Sequence, residues 1–272
     1  MEDLLYFFES MPNWQKLVWI LLVLSIFWIL EGYYALVKLK YNKLNHAKTN
    51  LSLLGFVIII NFFFGLMTGG LFIWLENHQF GLLTMVELPI WIELLLSIMV
   101  LDLIAQYFVH FLLHKVKWMW RLHLIHHTDT HVDATTGTRH HPLDFIIRET
   151  FALIAMVIMG MPVAFYLIYR ILSVFFTYFT HANISLPVWL DKTISYLFVT
   201  PNMHKFHHHY QLPWTDSNYG NMLSIWDRMF GTFVYDSTDN IRYGVDIVED
   251  QYADNFTYQI KIPFNKNIKT KN

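Results

Sequence analysis

The chain has 272 residues, of which 55% are hydrophobic and only 15% charged, and its formal net charge is −2. Soluble domains carry about 25% charged residues, so this composition excludes an ordinary water-soluble globule, and a near-zero charge without a basic stripe offers no grip on nucleic acid. No cysteine is present, which excludes disulfides, a thiol nucleophile and iron–sulfur centres held by the chain itself, and leaves 15 histidines with Asp and Glu as candidate metal ligands.

In chain order, residues 1–16 are short and acidic (Glu2, Asp3, Glu9), without the basic start of a signal peptide. Leu17–Val37 is an apolar run interrupted only by Glu31, and about 20 such residues suffice to cross a bilayer. Lys38, Lys40, Lys43 and Lys48 come next. Leu51–Leu75 is a second, uncharged span, and the loop after it carries Glu76 and Glu87 but no Lys or Arg. Ile90–Leu113 is the third span, succeeded by Lys115, Lys117 and Arg121. The positive-inside rule places the N-terminus and the 76–87 loop outside, and the 38–48 loop in the cytoplasm together with the chain just beyond residue 113.

Phe145–Gly160 and Val163–Thr180 read as a helical hairpin broken at Gly160-Met161-Pro162, which returns the chain to the cytoplasmic side. Arg148, Glu149 and Arg170 are costly inside lipid. Arg170 and Asp102 fall at similar depths, which predicts that they pair. Beyond Leu186 the composition turns polar, with turn signals at Asp216-Ser217-Asn218 and Asp239-Asn240 and a basic tail over 261–271. This part is expected to pack beneath the membrane. The organisation expected is 1–97 as membrane helices and 236–272 as a cytoplasmic tail, with 98–235 between them carrying most of the histidines. The fold class is an all-α polytopic membrane protein, with four to five spans or half-spans and a cytoplasmic, histidine-rich helical cap holding a dimetal site.

The histidines are not scattered. Asp102, Gln106, His110 and His114 are spaced four apart along one helical face. His123, His126 and His127 stand at i, i+3 and i+4, and His204, His207 and His208 repeat that triad. His181 ends an apolar helix, two residues before Asn183. These imidazoles are too many for one ion, whereas two ions with four or five ligands each fit the count. Few carboxylates accompany them, unlike the carboxylate-bridged di-iron bundles. The H-E-x-x-H of zinc proteases is absent. A bis-histidine haem site leaves the adjacent His126-His127 and His207-His208 pairs without a role. Asp102 is expected to accept a hydrogen bond from His110, because metal-bound imidazoles usually donate their other N–H. His46 and His78 are expected in solvated loops; the sequence does not assign His131, His140 and His209.

These boxes resemble those of the membrane fatty acid hydroxylase/sterol desaturase superfamily. The resemblance covers about residues 98–235 and rests on a series of motifs in order: H-x-x-x-H (His110, His114), H-x-x-H-H (His123–His127), T-R-H-H-P-L-D (Thr138–Asp144), H-A-N (His181–Asn183), H-K-F-H-H (His204–His208), D-S-N-Y-G (Asp216–Gly220) and W-D-R-M-F-G-T (Trp226–Thr232). It implies two iron ions, replaceable by zinc, held by His110, His114, His123, His126, His127, His181, His204, His207 and His208. His141 is a further candidate from its match to the H-P histidine. Asp144, which stands where the family usually has Glu, is expected to support the ligands, as are Asn183 and Asn218. The implied reaction is O2-dependent hydroxylation of a lipid drawn from the bilayer. Electrons are expected from a separate ferredoxin-like or small haem protein and its reductase. A desaturase using the same centre and a non-catalytic metal-binding membrane protein are the alternatives.

Overall fold

In the computed structural model, which describes residues 1–238 and 241–268, every long apolar run of the sequence is helical. The expected turn at Asp239-Asn240 and the last residues of the basic tail lie outside the described residues. A short α1 (Glu2–Glu9) leads into α2 (Asn13–Tyr33) and the very long α3 (Lys43–His78). α4 (Ile90–Asp102) runs through a π-helical stretch (Leu103–Phe108) into α5 (Val109–Lys115), making one rod. α6 (Lys117–His127) turns back from it. α7 (Pro142–Met159) and α8 (Val163–His181) form the hairpin. The short helices α9 (Val188–Ile194), α10 (Pro201–His207), α11 (Ile225–Met229) and α12 (Phe256–Lys261) build the cap.

Among the described residues, four helical rods are long and apolar enough to cross a membrane: Asn13–Tyr33, Lys43–Met85 with its 3-10 extension, Ile90–Lys115 and Val163–His181. The chain is therefore a multi-pass integral membrane protein with all-α architecture. α7 is not among these helices because it carries charge, and the structure shows where that charge goes. Arg148 donates to Asp144 one turn earlier, and Glu149 accepts from Arg170 of α8, which also reaches Asn61 of α3. The expected pairing of Arg170 with Asp102 is thus corrected. Glu149 of α7, which Arg170 meets directly, is the nearer carboxylate, and pairing there offsets both charges.

The α7–α8 turn depends on Gly160. Its φ of +64° is a left-handed conformation, and a Cβ there would sit 2.0 Å from the Phe80 carbonyl oxygen. The 80–81 loop and the 160–162 turn therefore share one end of the bundle. The opposite end carries the N-terminus of α3, the C-termini of α5 and α8, and all of α6 and α10. Both limbs of the hairpin run between the two ends, so His181 arrives beside the other boxes.

Buried polar contacts tie the second end together. Glu31 of α2 is 3% exposed; it pairs with Lys43 and accepts from the amides of Ala134 and Asn183. Arg139, fully buried, donates to the Ile125 carbonyl, Asn50, Thr128 and the Ala253 carbonyl. His46 is the clearest departure from the sequence reading. It lies in the first turn of α3, not in a solvated loop, and is 1% exposed. There it contacts Asp254 at 2.9 Å and Asp129 at 3.4 Å. The burial has a physical reason: carboxylates from two distant segments satisfy the ring, which a local reading of the 38–48 stretch does not show. His78 ends α3, is exposed, and bonds back to the Trp74 carbonyl.

Candidate metal centre

Nine histidines converge at that end in two adjoining buried groups. His110, His114, His123, His127 and His207 form the first; His126, His181, His204 and His208 form the second; within each, one ligand nitrogen per residue lies within 4.8 Å of the others. The groups touch, with ring centroids 4.9 Å apart for His127 and His208 and 5.1 Å for His204 and His207.

The helical repeat explains how the boxes are dealt out. At about 100° per residue, i+4 lies about 40° to one side of i and i+3 about 60° to the other. His110 with His114, His123 with His127 and His204 with His208 are the i, i+4 pairs, and each pair stays within one group. His126 and His207, the i+3 members, go to the opposite group. Each triad thus spans the two groups and fixes the distance between them.

The protonation pattern tests whether metal fits. A neutral imidazole carries one N–H and one lone pair. The Nδ1 atoms of His110, His126, His181 and His207 each face a backbone carbonyl: Tyr219 at 2.8 Å, Arg139 at 3.3 Å, Thr177 at 2.7 Å and Ser217 at 2.8 Å. Carbonyls only accept, so in these four rings the proton sits on Nδ1 and the Nε2 lone pair points inward. His123 Nδ1 faces Asp144 at 2.9 Å and His114 Nδ1 faces Asp216 at 3.4 Å, with the same consequence. His110 Nε2 and His123 Nε2 then lie 3.0 Å apart as two opposed lone pairs, and so do His126 Nε2 and His181 Nε2 at 3.1 Å. Neither contact can be a hydrogen bond. Buried Nε2 atoms of His114, His127, His207 and His208 have no protein partner at all. A cation resolves every one of these conflicts. Two nitrogens about 2.1 Å from one ion and at a right angle are about 3.0 Å apart, the spacing seen here.

Electrostatics agree. Burial, followed by the neighbouring imidazoles, pushes His126, His127, His204, His207 and His208 well below the ordinary histidine range. Burial also brings His123 down to about 3, against the opposing pull of Asp144. The rings are neutral at physiological pH, the form that binds metal. Burial acts against the charge on Asp144, but Arg148 and His123 hold its carboxyl well below the usual range.

Other expected site residues fall elsewhere. Asp102 does not touch His110. It lies two turns back along the same rod and accepts from the Trp226 indole at 2.9 Å and the Leu223 amide at 3.0 Å, while the Tyr219 carbonyl takes the His110 proton. His141 stands outside both groups; its Nδ1 caps α7 by accepting from the Leu143 amide, which uses the lone pair a metal would need. Asn183 contacts no ligand imidazole; its side chain bonds both backbone groups of Val37 and fixes the chain leaving α8. Asn218 likewise binds backbone, at Met203 and Val234, and positions α10 from behind. Two residues were missed. His140 stacks on His126 with centroids 4.6 Å apart and shares Asp144 with His123. Asp216 joins His114 to Lys115. Both stand in the T-R-H-H-P-L-D and D-S-N-Y-G motifs, which were the available signal.

The sequence profile described as fatty acid hydroxylase matches residues 94–232, just over half of the chain. Among curated proteins, an ornithine lipid hydroxylase, OlsE, of Rhizobium tropici is 27% identical over 145 residues, covering 53% of this chain and 43% of its own length. An alkylglycerol monooxygenase of Caenorhabditis elegans is 28% identical over 134 residues, covering 49% of this chain and 26% of its own. The human alkylglycerol monooxygenase is 24% identical over 245 residues, covering 87% of this chain and 51% of its own. The chain thus spans about a quarter to a half of the length of these relatives. No solved structure matches it.

Proposed function

Because the chain belongs to the fatty acid hydroxylase family, within the superfamily that includes the sterol desaturases, we propose that it is a membrane-bound di-iron oxygenase that hydroxylates a lipid. The observation that carries the proposal is the five-and-four division of nine buried, converging imidazoles. His110, His114, His123, His127 and His207 would hold one iron, and His126, His181, His204 and His208 the other. Such iron supplies O2 activation, the strong oxidant that an unactivated C–H bond requires. The balance is one lipid C–H, one O2, two electrons and two protons, giving C–OH and one water.

The chain's own residues supply order around that chemistry. The Tyr219, Ser217, Arg139 and Thr177 carbonyls and the Asp144 and Asp216 carboxylates hold six of the nine rings in a single tautomer. Burial of the nine rings keeps bulk water away. The relatives named as a lipid hydroxylase and as alkylglycerol monooxygenases support a lipid substrate and insertion of one oxygen atom. Lys38, Lys40, Lys43 and Lys48 support a cytoplasmic position for the histidine end, where a separate ferredoxin-like or small haem protein and its reductase would deliver electrons.

The test is untargeted lipid analysis of cells with and without the protein, under heavy-isotope O2. A lipid gaining one labelled oxygen atom is expected, with close to two iron equivalents in the purified protein. A product lacking two hydrogens and carrying no label would replace hydroxylation by desaturation. No changed lipid at full metal loading would leave a metal-binding protein without this activity.

A further inference from the structure

The cap was expected to lie beneath the membrane, yet part of it is fastened to the flanks of the spanning helices. Phe198 stacks on Phe176 of α8 with centroids 5.3 Å apart. The Asn221 side chain bonds Ser173 and Thr177 of the same helix. Phe230 stacks on Tyr107 at 5.2 Å, and Trp226 and Leu223 bond Asp102 on the α4–α5 rod.

The depth of these attachments is set by helix length. α8 has 19 residues, so it is about 28 Å long, close to the thickness of the hydrocarbon core. It can cross only if nearly all of it lies at membrane depth, and that includes Ser173 and Phe176, about 12 and 8 Å before its His181 end. Segments fixed at those levels lie at membrane depth as well. Their outer surface has the composition that this position demands. Trp189 and Tyr196 are each 70% exposed, Met229 64%, Phe230 57% and Leu197 48%. Two cations stand among them, both against rings: the Arg228 guanidinium lies 3.7 Å from the Phe233 centroid and 4.7 Å from that of Tyr196, and the exposed Lys192 ammonium lies 6.0 Å from the Tyr235 centroid, able to reach upward to the headgroups. Apolar side chains flanked by Trp and Tyr are what the hydrocarbon–headgroup boundary selects.

We propose that residues 188–197 and 228–230 form a lipid-immersed edge of the cap, in which Trp189, Tyr196, Leu197, Met229 and Phe230 contact bilayer acyl chains. The occupant of this surface is lipid, and no partner protein covers it. The inference rests on α8 crossing the membrane and is independent of the chemistry proposed for the metal centre.

The chain has no cysteine, so single sites can be spin-labelled directly. Leu197→Cys and Met229→Cys, labelled in lipid nanodiscs, are compared with Phe62→Cys on the exposed face of α3 and Gln251→Cys on the exposed part of the cap. Relaxation by oxygen, which concentrates in lipid, is measured against relaxation by a water-soluble nickel chelate. The expected ratio of oxygen to nickel effect at 197 and 229 is several-fold above that at 251 and close to that at 62. A ratio equal to that at 251 would overturn the proposal by placing the edge in water. Shielding from both reagents would also overturn it, by showing a protein partner or a second copy on this face. If either variant is not monodisperse, Trp189→Cys and Phe230→Cys take its place, with the same two results deciding. Metal content and lipid products do not enter this readout, so its failure is separable from failure of the proposed function.

Discussion

Replacing Asp144 by Asn changes one atom in the densest part of the metal centre, and the hydrogen bonds around that atom predict a selective loss of metal. Asp144 is fully buried; Oδ1 accepts from Arg148 Nε at 2.9 Å and Oδ2 from His123 Nδ1 at 2.9 Å. An amide has only one acceptor oxygen. The Arg148 guanidinium can only donate, so it claims that oxygen and leaves the NH2 group facing His123. His123 must then accept at Nδ1 and carry its proton on Nε2. That proton points at His110 Nε2, 3.0 Å away, and the two rings bond each other instead of a metal. The five-histidine group loses two lone pairs while the four-histidine group keeps all of its own. Loss of a residue that orients a metal ligand typically costs 10–100-fold in affinity. With two ligands affected, the upper end applies, about 2.7 kcal/mol. Metal retained per chain is measured across a chelator series on detergent-purified, monodisperse protein. Asp144→Asn is expected to fall from two equivalents towards one at chelator levels that leave the parent protein loaded. A two-equivalent plateau with an unchanged chelator midpoint would refute the tautomer argument.

Three further outcomes are expected. His207→Ala removes an Nε2 that faces the first group and should lose metal and lipid oxidation together, whereas His209→Ala, whose ring packs on Trp214 outside both groups, should keep most of both; equal retention in metal assays and product formation would take His207 out of the site. Asn45→Cys and Gln79→Cys mark the two ends of α3, a 36-residue helix about 54 Å long, and an impermeant thiol reagent should reach them from opposite faces, Asn45 from the cytoplasm; labelling of both from one side would refute the topology. The metal-free protein should be acid-sensitive. Its buried histidines have folded values below the ordinary one, so the unfolded chain takes up protons first as pH falls; the stability is fully present above about pH 6.5 and is lost below it. The thermal midpoint of chelated protein, followed by tryptophan fluorescence, should be lower at about pH 5.5 than at about pH 8, and a higher acid midpoint would contradict neutral burial.

Features encoded over a few residues were legible in the sequence. The apolar runs, the break at Gly160–Pro162 and the i, i+3, i+4 spacing of the triads all depend on helix geometry alone, and the nine histidines that the boxes single out are the nine that converge. The choice of partner across the chain could not be read. Asp102 shares a helix with His110, and periodicity alone couples them, but its carboxylate serves Trp226 and Leu223, more than a hundred residues away. Arg170 had two carboxylates at plausible depths, and helix packing chose Glu149. His46 looked solvated because its neighbours are polar, while the Asp129 and Asp254 that bury it are brought in by the fold. The sequence leaves His140 unassigned because it stands outside the H-x-x-H-H triads; it gains its place by stacking on His126 and sharing Asp144. The roles expected of Asn183 and Asn218 failed for a common reason: short amides beside a ligand box reach backbone more readily than a neighbouring ring.

The anchoring of ligand rings by backbone carbonyls also bears on how the protein is made. The five-histidine group draws on residues from His110 to His207, and the carbonyls that fix its tautomers extend to Ser217 and Tyr219. That last segment follows every spanning helix in the chain, α8 included. Neither group is complete until α10 has docked between α6 and the end of α8. An ion held by either group would therefore be fully enclosed only after that docking. Without a cation, the opposed Nε2 lone pairs of His110 with His123 and of His126 with His181 disfavour that closure.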